Sequence, residues 1–170
     1  MLFLMLVLFS SFSLSAELIT KNVLNGRVSL LIPQQFTQMP DDILEIKYPS
    51  SRRPTEVLSD DSGSISLAFN HTNTVMESSD IPEFHHAISK MFHNLYPSAK
   101  WFRDEIIERN GRIFIVLELI TPAMDTEIHN IMYGTSVDGR LLFIAFNTTI
   151  EQSKKWLPIG RKVMESLTIK

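Results

Sequence analysis

The residues best suited to chemistry in this chain are three histidines, one acid inside an apolar run, and a basic, aromatic, proline-bounded segment. His85, His86 and His93 crowd one stretch of a sequence that holds five histidines. On a helical wheel His86 and His93 fall about 20° apart, on the side away from Phe84 and Ile88, which is the arrangement that suggests a shared metal. Distance argues against it: seven residues of helical rise separate the two rings by about 10.5 Å, and helical zinc sites use i, i+4 spacing. Lys90 also stands between them with a repelling charge. We expect solvated histidines and no metal. Glu118 lies in the strongly apolar run Arg112–Ile120. Buried alone, its pKa would rise and it would suit a general acid; the reading we favour is a carboxylate at the sheet rim, or one paired with an Arg or His of a neighbouring strand.

Other catalytic signatures are missing. None of the serines sits in a Gly-x-Ser-x-Gly elbow, no glycine loop is built to cradle phosphate, and no His-Glu-x-x-His helix occurs. With no cysteine in the sequence, thiol catalysis and cysteine-ligated metals are excluded. We therefore expect a protein that is not an enzyme and carries no cofactor. The segment Lys47 to Pro54 is the most suggestive for binding. It sets Lys47, Tyr48, Arg52 and Arg53 between prolines, so cationic and aromatic groups are offered at reduced ordering cost. Tyr and Arg are frequent anchors of protein interfaces. A purely structural duty is the competing account, with Tyr48 plugging the edge of the core and the arginines paired with Asp60 or Asp61. In the last helix, Lys154, Lys155, Arg161 and Lys162 fall off the apolar stripe, and Glu151 and Glu165 dilute them, so a solvated face is expected. Asn70 and Asn147 open Asn-x-Thr triplets, which would accept glycans only in a eukaryotic secretory pathway.

The elements that must position these groups read as α+β. Arg27 to Ile32 is a short strand ended by Pro33, and Gln34 to Pro54 is irregular or briefly helical. Hairpins follow: Thr55–Asp60 and Ser64–Thr72 around Asp61, Ser62 and Gly63; Trp101–Arg109 and Arg112–Thr121 around Asn110-Gly111; Glu127–Val137 and Leu141–Asn147 around Asp138-Gly139. Both faces of Arg112–Ile120 are apolar, which predicts a central strand covered on both sides. Two helices supply the cover. One runs from about Ile81 to Leu95 behind an Asp80 or Ser79 cap, with Ile81, Phe84, Ile88, Met91, Phe92 and Leu95 in a stripe. The other starts after Thr149, with Gln152 completing a capping box; its stripe is Trp156, Leu157, Gly160, Val163, Met164 and Leu167. Pro158 is expected to kink or split it.

The first sixteen residues differ from the rest. Met1 to Leu14 is almost wholly apolar and uncharged, and Leu14, Ser15 and Ala16 offer a small-residue cleavage site, so residues 1–16 read as a signal peptide. The run is shorter than the ~20 residues that span a bilayer comfortably, which favours cleavage over an anchor and no stable membrane insertion afterwards. No cysteine adjoins the site, so a lipid anchor there is excluded. Residues 17–170 then form a single domain held by packing alone, placed in the periplasm or outside the cell. Of the 170 residues 44% are hydrophobic and 21% charged, ordinary for a globular chain. A formal charge of −3 gives no basic excess for nucleic acid.

Taken together, the Val28–Pro33 strand, Phe36, Lys47-Tyr48-Pro49 with Arg53-Pro54, a hairpin, a helix, the long Asn-Gly hairpin and the closing Trp156 helix resemble small exported proteins of the PsbP-like fold, a group that includes DcrB-type bacterial proteins. The resemblance implies an antiparallel sheet of about six strands flanked by two main helices. It also implies a protein that binds other proteins and does no chemistry. Fold alone does not assign a job. The expectation is an exported accessory protein whose partner is another protein, with Lys47, Tyr48, Arg52 and Arg53 at the contact. Two alternatives stand beside it: an immunity or inhibitor protein acting on a secreted toxin, and an enzyme whose site only the fold assembles.

Overall fold

The computed structural model describes residues 16–49 and 53–170. In chain order the elements are β1 (Leu18–Val23), β2 (Val28–Pro33), β3 (Thr37–Gln38), α1 (Asp41–Lys47), β4 (Glu56–Ser59), β5 (Ile65–Val75), a 3-10 turn (Ser78–Asp80), α2 (Ile81–Leu95), β6 (Lys100–Arg109), β7 (Arg112–Pro122), β8 (Glu127–Val137), β9 (Arg140–Thr149), α3 (Ile150–Glu165) and β10 (Thr168–Ile169). The signal-peptide assignment falls outside the described residues, save Ala16.

Turn chemistry organises the larger sheet. Asn110-Gly111 and Asp138-Gly139 hold positive φ at both positions, 53° and 70°, then 52° and 67°. That is what a type I′ turn requires, and its twist matches the strands it joins. The result is a seven-stranded sheet in the order β3-β4-β5-β9-β8-β7-β6, with antiparallel pairing throughout. A smaller sheet, β1-β2-β10, was only partly visible in the sequence. Its hairpin turns at Leu24, Asn25 and Gly26, all with positive φ, so the Asn25-Gly26 dipeptide was the available signal for the strand before it.

The α+β architecture is as expected, with a larger main sheet and a third helix. β7 is covered on both faces, but it lies second from an edge; β9 is the central strand. One face of β7 puts Ile115, Leu117 and Leu119 against Ile81, Phe84, Ile88 and Phe92 of α2. The other puts Phe114 and Val116 in the main core with Ile131, Tyr133, Phe146, and Trp156, Val163 and Met164 of α3. Burying such large aliphatic and aromatic side chains contributes roughly 1.5–3 kcal/mol each, which is what holds the two layers on the sheet.

Three helix details depart from expectation. α3 runs unbroken through Pro158, which is exposed. Neither Thr149 nor Asp80 makes a side-chain capping bond to the helix that follows. Asp80 instead accepts from the Glu77 backbone N–H at 2.9 Å, closing a box around the 3-10 turn. On α2 the stripe is narrower than its sequence suggests: Met91 and Leu95 are 52% and 62% exposed. The close seating of α3 depends on Gly160, where an added Cβ would lie 2.4 Å from the Phe146 ring.

Candidate functional site

Strand register builds the site. Ser59, Ser66, Asn147 and Asn130 stand directly opposite one another across β4, β5, β9 and β8, and residues so paired share a face. This is the α1 and α2 side of the sheet. The adjoining row, Val57, Ala68, Ala145 and Met132, is apolar and carries two alanines at its middle. A polar row therefore crosses the floor of the sheet where neither helix rests on it. The chain leaving α1 hangs over it, with Tyr48 packed on Met39, Val57 and Ala68. Between roof and floor is a cleft of about 260 Å³, lined by Lys47 and Tyr48 above and by Ser66, Asn147, Asn130 and Thr121 below.

The groups in the cleft are unevenly satisfied. The Asn130 amide nitrogen is committed to Leu119 O (3.2 Å), Thr121 Oγ1 (3.1 Å) and Ile128 O (2.9 Å), which leaves its carbonyl oxygen to accept. Among the described residues the Ser66 and Ser59 hydroxyls are buried and close no hydrogen bond of full geometry, although the Tyr48 phenol stands near enough to Ser66 and Asn147 to feel both. Lys47 donates to the Gly63 carbonyl. Burial pulls the Lys47 ammonium below its ordinary pKa, and Asp60 opposes the shift. Burial pushes the Tyr48 phenol up, with Ser66 and Asn147 pulling it back.

Of the four residues expected at the contact, Lys47 and Tyr48 meet in this cleft. Arg53 stands behind them: its Nε donates to the Tyr48 carbonyl at 3.0 Å and its Nη2 lies 4.0 Å from Glu45. The expectation that the arginines pair with Asp60 or Asp61 fails for Arg53; Arg52 lies outside the described residues. Asp60 is occupied by its own turn, accepting from the Ser62 hydroxyl (2.7 Å) and the Ile65 N–H (3.0 Å). Ser66, Asn130, Asn147 and Thr121 were missed, because a polar residue in one strand means little until pairing sets it beside others.

Two further clusters hold the groups first suspected of chemistry, and both are closed on themselves. Glu118 and His129 are diagonal neighbours on the α3 face, since Glu118 opposes Ile131 and Ile120 opposes His129. His129 Nε2 is 2.9 Å from Glu118 Oε1, and Arg161 of α3 donates to the same oxygen at 2.6 Å. The His129 ring stacks on Phe102 with centroids 4.9 Å apart. Burial alone would raise the Glu118 pKa, but the bonds from His129 and Arg161 outweigh it and hold the carboxyl below its ordinary range. Such a group is a fixed anion, not a general acid.

The histidines of α2 are not free in solvent as a group. His85 Nε2 lies 2.8 Å from Asp104 Oδ1, while the Ser89 hydroxyl (2.6 Å) and His93 Nε2 (3.2 Å) bond the other oxygen. His93 also stacks on Trp101 at 4.0 Å while remaining half exposed, and His86 is exposed too. The wheel paired His86 with His93; the acid on β6 pairs His85 with His93 instead. Burial again works against the Asp104 charge, and the three bonds prevail and lower its pKa. Ser89 donates to the acid itself, on the same oxygen that His93 reaches.

No family model and no curated protein sequence matches the chain. Solved structures do. The cyanobacterial PsbP protein CyanoP of Synechocystis sp. PCC 6803 superposes with a TM-score of 0.63 at 15% identity, covering 96% of this chain and 99% of its own. The chain has the PsbP-like fold. A protein of unknown function from Pseudomonas aeruginosa, PA94, described as a putative regulator, is similar with a TM-score of 0.51 at 11% identity, covering 90% of this chain and 97% of its own. LpqN of Mycobacterium tuberculosis, described as involved in cell envelope biogenesis, gives 0.52 at 10% identity and 91% of each chain. Among the described residues no helix is long and apolar enough to cross a membrane.

Proposed function

We propose that this PsbP-like chain is an exported, non-catalytic accessory protein of the periplasm or cell envelope that binds another protein through the Lys47–Arg53 segment and the cleft beneath it. The observation that carries the reading is the contrast in satisfaction. The Glu118 and Asp104 clusters spend their polar groups on each other, whereas the cleft keeps a buried hydroxyl that closes no hydrogen bond of full geometry among the described residues, below a lysine and an aromatic roof. Buried polar groups are nearly always bonded, and exceptions concentrate where something else supplies the partner. The involvement of LpqN in cell envelope biogenesis and the exported character of the N-terminal sequence support the location.

The test is capture from the native host with a tagged chain, compared with a Lys47→Ala/Tyr48→Ala/Arg53→Ala variant of unchanged melting temperature. One partner held by the wild type and lost by the variant supports the reading. A partner held equally by both places the contact elsewhere, and no specific partner after gentle cross-linking removes the protein-binding role.

A further inference from the structure

The cleft is more selective than a general contact surface, because its lining carries a single charge type. Among the described residues Lys47 is its cation and no carboxylate lines it; the other polar groups are hydroxyls and side-chain amides, and Ala123 and Ile128 form an apolar wall. Lys47 donates to the Gly63 carbonyl, one of the three bonds an ammonium can give. Asp60, the nearby acid, already serves its own turn. Hydroxyls and amides both donate and accept, and Asn130 retains an acceptor. Ser66, Asn147 and Asn130 sit on adjacent strands spaced about 4.8 Å apart, so the row offers bonds over about 10 Å. The volume, about 260 Å³, lies just under the range of roughly 300–1,000 Å³ that suits drug-sized ligands.

We propose that the cleft binds a small carboxylate flanked by hydroxyl or amide groups, with the Lys47 ammonium on the acid and Ser66, Asn147 and Asn130 on its polar neighbours. Two sources share that chemistry: a free sugar acid, and the C-terminal residue of a polypeptide. The buried Ser66 hydroxyl is the independent sign of a ligand, since it lines the cleft beside the Tyr48 phenol and closes no hydrogen bond of full geometry among the described residues. The proposal rests on reading this cleft as the binding site, and names what enters it.

The experiment titrates the isotope-labelled protein, purified as its host exports it, with four probes followed by amide chemical shifts. The probes are D-glucuronate, glucose, N-acetyl-alanyl-alanine with a free carboxylate, and the same dipeptide as its amide. At least one acid is expected to shift Ser66, Asn130 and Asn147 with millimolar affinity, and its neutral counterpart to bind at least about tenfold more weakly, as one charge-assisted bond requires. Preference for glucuronate assigns a free metabolite; preference for the dipeptide acid assigns a polypeptide terminus. Lys47→Met is to erase the preference for acid. Asn147→Asp, which sets a like charge beside the ligand, is to abolish acid binding while glucose is unaffected. Equal binding of acid and neutral probes, a preference for acid that persists in Lys47→Met, or no shift in the cleft with either acid overturns the ligand class. The broader binding role is then judged separately by the capture experiment, which does not depend on these probes.

Discussion

Two polar centres of the main sheet, one under α3 and one beside α1, treat their residues in opposite ways. On the α3 face Glu118 is 2% exposed, yet it is bonded by His129 and Arg161 and sealed by the stacked Phe102. Beside α1 the row through Ser66 crosses a cleft, and its buried hydroxyl closes no hydrogen bond of full geometry among the described residues. Both rows came from the same rule, that residues opposite in register share a face. What differs is whether a helix delivers the complementary group: α3 brings Arg161 down onto Glu118, while α1 ends short and leaves Tyr48 as a roof. The first region is built for stability, and the second leaves bonding capacity for something outside the chain.

The largest expected effect comes from breaking the sealed face. Glu118→Ala leaves His129 and Arg161 without their acid, and removing one member of a buried pair costs about 3–5 kcal/mol. Arg161 is half exposed and can rehydrate, so the lower end is expected in urea denaturation. A loss under about 1 kcal/mol would mean that water already enters this centre. Next comes Gly160→Ala. The added Cβ meets the Phe146 ring at 2.4 Å, an overpacking that costs about 1–3 kcal/mol, against which alanine returns about 1 kcal/mol of helix propensity. A net loss of up to about 2 kcal/mol is expected; a gain would show that α3 can lift off the sheet.

The pH dependence follows from the same charges. Glu118 and Asp104 have pKa values lowered on folding. Their stabilisation is complete above the ordinary carboxylate range near pH ~4 and is lost as pH falls through the lower folded values. Acid titration of the melting temperature should therefore show a steep drop below about pH 4 in the wild type and a shallower one in Glu118→Gln. Equal slopes would assign the acid sensitivity to other carboxylates. Asp104→Asn should be milder at neutral pH, about 1 kcal/mol, because the acid is a quarter exposed and its partners reach water.

How much of this was legible follows the range of each signal. The Asn110-Gly111 and Asp138-Gly139 turns are local, and their dipeptides name the turn type; the apolar stripes of α2 and α3 are local too, so the layers over the sheet could be read from periodicity. Pairing is not local. That Glu118 finds Arg161, forty-three residues away, or that Asp104 gathers His85, Ser89 and His93, depends on a strand and a helix meeting in three dimensions. The sequence pointed to Lys47 and Tyr48 because they crowd one segment, and gave no sign of Ser66, Asn130 and Asn147, which crowd only in register. Arg53 shows the converse: it shares a segment with Lys47 and Tyr48, yet its guanidinium bonds the Tyr48 carbonyl and approaches Glu45 and is not part of the cleft lining.

The smallest expected effect is the sharpest for the comparison, because its sign is reversed. Ser66→Ala removes a hydroxyl that is buried and closes no hydrogen bond of full geometry among the described residues, and leaving such a group unsatisfied costs about 1–3 kcal/mol. Alanine fits the space without a new contact, so the variant should be as stable as the wild type or up to about 1 kcal/mol more stable. Removing a polar group from the Glu118 centre weakens the fold; removing one from the cleft should not. A loss of more than about 1 kcal/mol in Ser66→Ala would show that the hydroxyl already has a structural partner, such as a trapped water, and would put the cleft on the same footing as the sealed face. A gain, together with weaker binding of the acid probes, would identify Ser66 as a residue kept at a cost to stability for what the cleft holds.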